Sequence, residues 1–501
     1  MNQPFQTVIV CAVLILSATP GDARTPVSLP EVLRLTLLSS SPIKNSREEV
    51  GRAKGQLQEA SGGFDRSDSA SLSFSSLEES SLSEENSRLT QKYLKHNLTA
   101  GSEKRFRSGI LTAAEITVEG SRERSGDEEQ QGRGSLLLKI DFPLWRGRGR
   151  EAVTADERAA EFAVRQAEYK LLDTITGQLR QSTDAFRDYQ AARRRLAVMR
   201  ESEQRIRQYL DDVLHLVEAG ERAAADLLPL HAQAADSRAR RILAAKELSI
   251  KKNALGEAMG VSAAELAAME FADEPWPEFT LPDKERYVEE MTALALSRRK
   301  DLAAARAGKD AAGIMLAGAK DGCSPELNLY LQGQADGLSQ GGDFSDSLHF
   351  DDTASLSGGI RFRRPAGNNG AEGIVTQKRH RFKQAEIKSS ELERTIRLGV
   401  MEAVDNMFIC KEMQKEAATA VREYEKSLEA EQKKMQLGMG TVLDLLAVQR
   451  DLEVASLQLL DSRADCAAAL SALRFETASF MDGSNGSYRL QESAPPVLPG
   501  K

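Results

Sequence analysis

The chain has 501 residues, of which 28% are charged and only 5% are aromatic, and its formal net charge is −8. This composition suits long alanine-rich helices better than compact cores, although the length would allow roughly two to four ordinary domains. The acidic balance gives no reason to expect nucleic acid as a partner.

The first 23 residues are predicted to be a signal peptide. Residues 8–16 form the apolar run VIVCAVLIL, which is too short to span a bilayer as a helix, and small residues ending at Ala23 follow it. The preceding MNQPFQT has no Lys or Arg, so an uncleaved anchor stays as the alternative. Cys11 follows Val10 rather than a small residue, which argues against lipid attachment there. We therefore expect the chain to be exported.

The rest of the chain has no membrane-spanning helix in its sequence. No later segment approaches the roughly 18 uninterrupted apolar residues that such a helix needs. If the chain crosses a membrane, it is expected to do so as a closed β-barrel, in which all backbone groups are paired. The three later cysteines, Cys323, Cys410 and Cys466, lie far apart without metal-site spacing, and we expect small buried apolar residues.

Each half of the chain opens with a predicted helix, over 28–60 and again over 287–319, and strand patterns follow. Every second residue is apolar in SASLSFSS (69–76) and SLLLKIDF (135–142), and again at 327–332 and 356–363. These four strands fit a wall between lipid and water, although a half-buried soluble sheet gives the same pattern.

The first half has about 40 more residues than the second between its opening helix and its last strand, and these include YLKHNLTAG and GILTAAEITVEG. Both segments resemble strands of a hairpin. Two placements stay open for this insertion: further strands of the same wall, or a separate projecting hairpin.

Very long helices are predicted in both halves. No proline interrupts residues 144–228 or 366–494, and both intervals are rich in Ala, Arg, Glu, Gln and Leu. A helix over 150–219 would measure about 105 Å at 1.5 Å per residue. From Val442 to Leu473, mainly apolar residues recur at alternating spacings of three and four. This heptad pattern predicts that the helix packs laterally against other helices in coiled-coil fashion.

The order helix, strands, long helix, turn, helix thus occurs twice. We predict a first structural repeat over 28–260, a linker over 261–286, a second repeat over 287–480 and a C-terminal tail over 481–501. The fold class expected from these elements is mainly α, internally duplicated, with a β part.

Glycine-containing turns interrupt the long helices at matching places. Gly438 and Gly440 lie in MQLGMGTVLDLL (435–446), and Gly220 lies in LVEAGERAAADLL (216–228). Asp444 follows Gly438 by the same interval at which Asp226 follows Gly220. Glycine in a helix interior costs about 1 kcal/mol relative to alanine, so the chain is expected to reverse at both places.

With this order, the sequence resembles the TolC-like outer-membrane efflux protein family (outer membrane factors) over nearly the whole chain after the signal peptide. The resemblance lies in SLPEVLRLTL and SPI of the opening helix, in FPLWRGRGREA at 142–152, and in the two turns. It implies a homotrimer whose helices form one α-helical tunnel of coiled-coil hairpins and whose strands form one shared β-barrel. It also implies a passive conduit in the lipid of the cell outer membrane, extending into the periplasm and joined by a periplasmic adaptor to an inner-membrane transporter.

The resemblance implies roles for the turn residues as well. In this family the glycine turns lie at the periplasmic end of the tunnel, so Gly220, Gly438 and Gly440 are expected to dock the adaptor; an ordinary hairpin turn is the alternative. Asp444 matches the acidic position that rings the closed entrance, and Asp226 occupies the equivalent place in the first repeat. An Asp in the first turn of a helix also has a simpler explanation, because it stabilises the positive helix end.

The chain departs from the family at the gate. The best-known members carry a tyrosine and an arginine where this chain has Met435 and Gly440. The resemblance therefore does not imply a gate held shut by bonds between those two side chains.

Two other classes of protein compete with a channel. An enzyme has little support, because the five histidines show no evident pairing and the sequence has no phosphate loop or nucleophile elbow; no cofactor or metal is expected. A periplasmic coiled-coil adaptor or scaffold is the stronger alternative, since long helices with a hairpin turn suit it equally well. The alternating strands favour the channel. The sequence leaves the cargo open among drugs, metal ions and secreted polypeptides.

Overall fold

The computed structural model describes residues 26–82, 88–123, 130–340, 349–350, 353–437, 439–482 and 489–490. The predicted signal peptide, Gly438 and most of the predicted C-terminal tail lie outside these residues. The chain divides into two compact units, of which the first comprises 1–49, 168–304 and 390–501 and the second comprises 50–167 and 305–389.

Ten helices occur within the described ranges. They are α1 (Leu29–Ser39), α2 (Ser41–Gly62), α3 (Arg150–Val153), α4 (Ala155–Glu218), α5 (Leu227–Met259), α6 (Ala263–Ala267), α7 (Lys284–Arg298), α8 (Lys300–Gly322), α9 (Asn369–Gln436) and α10 (Val442–Glu476). None of these helices is both long enough and apolar enough to cross a membrane.

Strands occur in two groups. The larger group is β1 (Arg66–Leu82), β2 (Arg88–Arg105), β3 (Leu111–Glu123), β4 (Gln130–Pro143), β5 (Glu326–Gln340) and β6 (Thr353–Arg363), and the smaller is β7 (Met481–Asp482) with β8 (Arg489–Leu490). The six long strands form one antiparallel sheet in the order β1 to β6. The insertion in the first half supplies β2 and β3, so its strands belong to this sheet rather than to a separate one.

The two opening helices that the sequence predicts as single elements are each broken in two. The break between α1 and α2 falls at Ser40, whose ψ of 122° is extended. Pro42 explains it, because proline within a helix clashes with the carbonyl four residues earlier and cannot donate a backbone hydrogen bond. The break between α7 and α8 falls at Arg299, with ψ of 125°, and there the side chain forms ion pairs described below.

The first unit contains two large buried clusters. One joins α7 and α8 to α9 and α10, with Met291, Leu302, Val400 and Leu473 among its buried side chains. The other joins α1 to α4 and α5, with Leu33, Leu179, Phe186 and Met259. Burying each such side chain contributes about 1.5 to 3 kcal/mol relative to exposure, so these clusters hold the long helices together laterally.

The predicted linker is tied to α4 by arginine side chains. The Arg193 guanidinium donates to the Phe271 carbonyl at 3.0 Å, and Arg194 donates to the Asp273 carboxylate at 3.0 Å. Phe271 is buried and pairs with Val27 in a parallel bridge. The segment over 261–286 therefore belongs to the first unit and contacts α4 and Val27 along part of its length.

Two cysteines form a disulfide, which the sequence analysis did not expect. Cys410 of α9 and Cys466 of α10 are bonded to each other and are both buried. Both are buried as expected, but the bond between them was not predicted. Cys323 is a free cysteine and is only half-buried, so the expectation of a buried residue is wrong there. The two residues are 56 positions apart, and the packing of α9 on α10 brings them together.

Candidate functional site at the helix turns

The first turn begins where α4 ends, and Gly220 takes the left-handed conformation there, with φ of 75°. The Glu221 amide donates to the Leu216 carbonyl at 2.9 Å, and the Gly220 amide donates to the Val217 carbonyl at 3.0 Å. This pair of bonds is a Schellman motif, which glycine favours because a Cβ is strained at positive φ. A short 3-10 turn over Ala224–Asp226 then leads into α5.

The second turn lies between α9 and α10. The Met439 and Gly440 amides both donate to the Lys434 carbonyl, at 2.9 and 3.2 Å, which ends α9. Gly440 does not take positive φ; instead a Cβ there would lie 3.1 Å from the Met435 backbone nitrogen. The reason for glycine at position 440 is therefore the close approach of the backbone, whereas at Gly220 it is the positive φ angle.

Arg222 joins the two turns. Its guanidinium donates to the Gly440 carbonyl at 2.9 Å and lies 3.3 Å from the Asp226 carboxylate. The side chain is only 13% exposed, so these bonds are shielded from water on most sides. A charged donor on a backbone carbonyl forms a stronger hydrogen bond than a neutral pair does. Arg222 therefore fixes one reversal of the chain against the other.

A buried cluster lies next to the turns and includes residues from all four helices that lead to them. It contains Tyr209 and Val213 of α4, Leu230 of α5, Leu428 and Met435 of α9, and Val442, Leu445 and Leu452 of α10. The Gln432 amide also donates to the Tyr209 hydroxyl at 2.7 Å. Met435, one of the two positions at which the sequence departs from the family it resembles, is thus a core residue within this chain.

Large apolar side chains are exposed around the turns. Leu228, Leu437, Met439 and Leu443 are between 66% and 78% exposed. Single exposed apolar residues are ordinary, but several together at one end of a helix pair mark an interaction surface. We refer to these four residues as the tip surface.

The two predicted acidic residues have different surroundings. Asp444 is exposed, and its carboxylate accepts from the Thr441 hydroxyl at 2.6 Å while its amide donates to the Thr441 hydroxyl oxygen at 3.1 Å. This is a reciprocal cap at the start of α10, which supports the simpler role as a helix stabiliser. Asp226 is paired with Arg222, so its charge is partly compensated within the chain.

Sequence reasoning missed Thr441 and Arg222. The pattern T-x-x-D before an apolar run indicates a helix start and could have identified Thr441. Nothing local indicates Arg222, because its acceptor on Gly440 lies 218 residues away.

A second group of ionisable residues is half-buried within the first unit. The Arg299 guanidinium donates to the Asp301 carboxylate at 2.7 Å and also contacts the Glu476 carboxylate. Burial raises the pKa of Asp173 to about 6. The neighbouring Asp301 charge adds to this increase, and the Arg299 charge opposes it. Burial also raises the pKa of Glu476, although Arg299 acts against it. Within the described residues, no cluster of His, Cys, Asp and Glu could hold a metal ion.

Part of the second half of the chain matches a known family model. Residues 292–478 match the family described as outer membrane efflux protein. No match was found among curated protein sequences.

Several solved structures are similar to the whole fold. The outer-membrane channel OprN is 13% identical with a TM-score of 0.68, covering 90% of this chain and 89% of that one. The outer membrane protein VceC from Vibrio cholerae is 16% identical with a TM-score of 0.65, covering 90% and 95%. The CmeC outer membrane channel from Campylobacter jejuni is 13% identical with a TM-score of 0.65, covering 90% and 85%. At these identities the comparison establishes the fold, which is mainly helical with one antiparallel sheet.

Proposed function

We propose that this chain, which carries the outer membrane efflux protein domain over residues 292–478 and has the fold of outer-membrane channels, is the outer-membrane conduit of an export system. It conducts substrates passively from a periplasmic adaptor and an inner-membrane transporter to the exterior, for efflux or for secretion. The observation that carries the proposal is that this fold contains both a sheet with an exposed apolar face and two turns that Arg222 joins next to the tip surface.

The sheet supplies the contact with outer-membrane lipid in this proposal. Large apolar side chains are exposed along one of its faces, namely Leu72, Phe74, Leu94, Leu98, Ile116, Leu138, Ile140, Leu331, Leu356, Ile360 and Phe362. An exposed apolar face of this size is unfavourable in water and favourable against lipid tails. This exposed apolar face argues against the alternative, a periplasmic coiled-coil scaffold, because a scaffold in water does not need a lipid-facing surface.

The homotrimer is supported by two exposed apolar stripes in the first unit. On α9 the stripe consists of Leu398, Met401, Ile409 and Met413, and on α5 it consists of Ile242, Leu243 and Ile250. Both sets recur at helical spacing and so lie on one side of their helices. We propose that these stripes are buried between copies of the chain, as the lateral faces of one helical tunnel.

Fractionation tests the function as a whole. The mature chain is expected in outer membranes as a trimer whose gel migration changes on heating in detergent. A strain lacking the chain should lose export of the substrate of the inner-membrane transporter that works with it. Export should return when the chain is restored. Recovery of the chain as a soluble periplasmic monomer would exclude the channel and favour the scaffold.

The tip surface is the proposed docking site for the adaptor, together with the turns at Gly220, Gly438 and Gly440. Leu437→Glu and Met439→Glu should reduce cross-linking to the periplasmic adaptor and reduce export, because a charge replaces an apolar contact. Leu38→Glu, which alters an exposed leucine of α1, is the control and should leave cross-linking unchanged. Equal cross-linking in all three variants would assign the tip surface another role.

Asp444 is the proposed acidic constriction at the periplasmic entrance, with Asp226 of lesser effect because Arg222 neutralises it in part. Three copies of one carboxylate around an axis attract cations at short range. Asp444→Asn should lower the cation preference of single channels in planar bilayers and weaken block by multivalent cations. Thr441→Ala removes the cap partner but keeps the carboxylate, so it should keep the selectivity. If Asp444→Asn leaves both properties unchanged, Asp444 acts only as a helix stabiliser.

A further inference from the structure

The strands β2 and β3 lie in the middle of the first-half sheet and are paired along their length. β1 pairs with β2 from Arg66 and Lys104 to Leu82 and Arg88, and β3 continues the ladder with β2 on one side and β4 on the other. A hairpin that projects from a wall would leave β1 and β4 as neighbours. Here β1 reaches β4 only through β2 and β3.

The register places β2 and β3 on the same two faces as the other four strands. One row of partners crosses all six strands and is entirely apolar: Ala70, Ala100, Ile116, Leu136, Ala335 and Ala354. The adjacent row crosses all six strands on the opposite face and is entirely polar: Ser71, Thr99, Thr117, Ser135, Asp336 and Thr353. Because neighbouring residues of a strand point to opposite faces, each strand separates an apolar side from a polar one.

The turn between β2 and β3 is fixed at the end of the sheet where α4 begins. The Arg107 guanidinium donates to the Glu157 carboxylate at 2.6 and 2.9 Å, and the Gly149 amide donates to the Ser108 carbonyl at 3.3 Å. Gly109 packs so closely that a Cβ would lie 2.2 Å from the Gly147 carbonyl oxygen. The hairpin is therefore held in line with β4 and the helix that follows it.

We infer that β2 and β3 are wall strands, so that each chain contributes six strands, three copies contribute eighteen, and the exit passes wide, hydrated cargo such as a polypeptide. This inference rests on the proposed function, because it needs a wall closed by three copies in lipid. It decides between the two placements that the sequence left open for the insertion, namely further strands of the same wall and a separate projecting hairpin.

Strand number sets the width of a closed sheet. With strands about 4.8 Å apart and tilted by about 40°, eighteen strands enclose a backbone diameter of about 36 Å, whereas twelve enclose about 24 Å. Sheets of about 16 to 18 strands leave an open aqueous channel.

The polar face of the sheet does not favour cargo of one charge. Hydroxyl and amide side chains such as Thr99, Thr117 and Gln332 are interspersed there with both Lys139 and Asp141, which lie 3.0 Å apart. Selection by charge at this level is therefore weak, and width becomes the property that distinguishes what the exit admits.

Cysteine labelling in outer membranes tests the inference position by position. In a Cys323→Ser background, single substitutions are made at adjacent residues of β2 (Leu98→Cys and Thr99→Cys) and of β3 (Ile116→Cys and Thr117→Cys). A membrane-impermeant maleimide should react at the threonine positions roughly tenfold or more faster than at the Leu98 and Ile116 positions, since the reaction needs a hydrated thiolate. A projecting hairpin would label at similar rates at all four.

The adjacent pair Leu356→Cys and Ser357→Cys in β6 separates two kinds of failure. If β6 alternates and β2 and β3 do not, the six-strand wall is wrong while the channel stands. If β6 does not alternate either, the sheet does not face lipid and the proposed function fails with it. Alternation in all three strands supports the inference.

Polymer exclusion measures the width. A variant lacking residues 88–123 joins β1 to β4 as antiparallel neighbours with the apolar faces still matched. Neutral polyethylene glycols applied from the exterior side of planar bilayers should enter the full-length channel at larger sizes than the variant, because the backbone diameter of the closed sheet is about one third smaller in the variant. An unchanged limiting size in a variant that still forms channels would overturn the inference.

Discussion

Arg222 is the residue on which contact between the two turns most depends, because its guanidinium holds the Gly440 carbonyl and the Asp226 carboxylate together. A hydrogen bond to a charged group contributes about 1.5 to 3 kcal/mol, and the lower end is appropriate for a side chain near the surface. Arg222→Ala should therefore speed amide hydrogen exchange in both turns about tenfold, with Arg222→Lys between the variant and the wild type. Arg422→Ala, on the exposed side of α9, is the control and should not alter exchange there. Equal exchange at the turns in all variants would mean that packing alone joins them.

Asp173 is a residue whose ionisation opposes folding. Its pKa in the folded chain, about 6, lies above the ordinary value of 3.8, so the folded state binds the proton more tightly than the unfolded state does. The stability of the wild type therefore contains a contribution that is present below pH of about 4 and is lost as the pH rises to about 6. Asp173→Asn removes this loss.

The expected result for Asp173→Asn is a higher melting temperature than the wild type at pH 8 and no difference near pH 4, measured in detergent. The difference between the two proteins isolates Asp173 from Glu476, whose pKa burial also raises. A constant gain at all pH values would indicate that the asparagine packs better and that proton binding is not involved.

At the scale of elements, the disulfide between α9 and α10 is the strongest single link. In the chain-entropy view, closing a loop of 56 residues stabilises the fold by about 4 kcal/mol. The double variant Cys410→Ala with Cys466→Ala should therefore unfold at markedly lower temperature or denaturant concentration in detergent. Cys323→Ala, which removes the free cysteine, should not.

Reductant provides the complementary measurement for the disulfide. It should lower the unfolding midpoint of the wild type to that of the double variant, and it should leave the double variant unchanged. If mass analysis shows the bond broken while the wild-type midpoint does not move, helix packing rather than the disulfide determines the stability of this pair.

Local periodicity was sufficient to predict most elements, and contacts between distant segments account for what it missed. The alternation in 135–142 identified β4, and the spacing from Val442 to Leu473 identified α10, because each pattern reports on one face of one element. Arg463 lies on that spacing but is exposed, whereas the neighbouring Ser462 is buried. The disulfide joins residues 56 positions apart, and the hydrogen bond from Arg222 to Gly440 joins residues 218 positions apart, so only the packed fold brings these partners together.

The placement of the insertion shows the same limit between elements. The segments at 93–101 and 109–120 alternate well enough to be recognised as hairpin-like. Whether they continue a sheet depends on register against β1 and β4, and pairing in a sheet is set by contacts between strands rather than within one. Arg107 and Glu157 add a contact that joins the hairpin turn to a helix 50 residues later.

At the scale of the whole molecule, assembly is the property that the proposed conduit cannot do without. A sheet with β1 and β6 at its two ends presents backbone groups that need partners, and the apolar stripes of α9 and α5 expose side chains that water disfavours. Both are accounted for together if copies of the chain surround one axis. A single copy would leave both exposed.

Substitutions of exposed apolar residues by glutamate can separate assembly of the trimer from docking of the adaptor. Leu398→Glu with Ile409→Glu places two charges in the α9 stripe, and these would be buried without partners between copies, at a cost of several kcal/mol. The trimer should therefore dissociate or fail to form, as measured by light scattering of the detergent-extracted protein. Leu437→Glu places one such charge on an exposed leucine of the tip surface and should leave the trimer intact while reducing export. A stable trimer carrying both α9 substitutions would show that this stripe does not lie between copies, and the surface joining them would have to be sought on other helices.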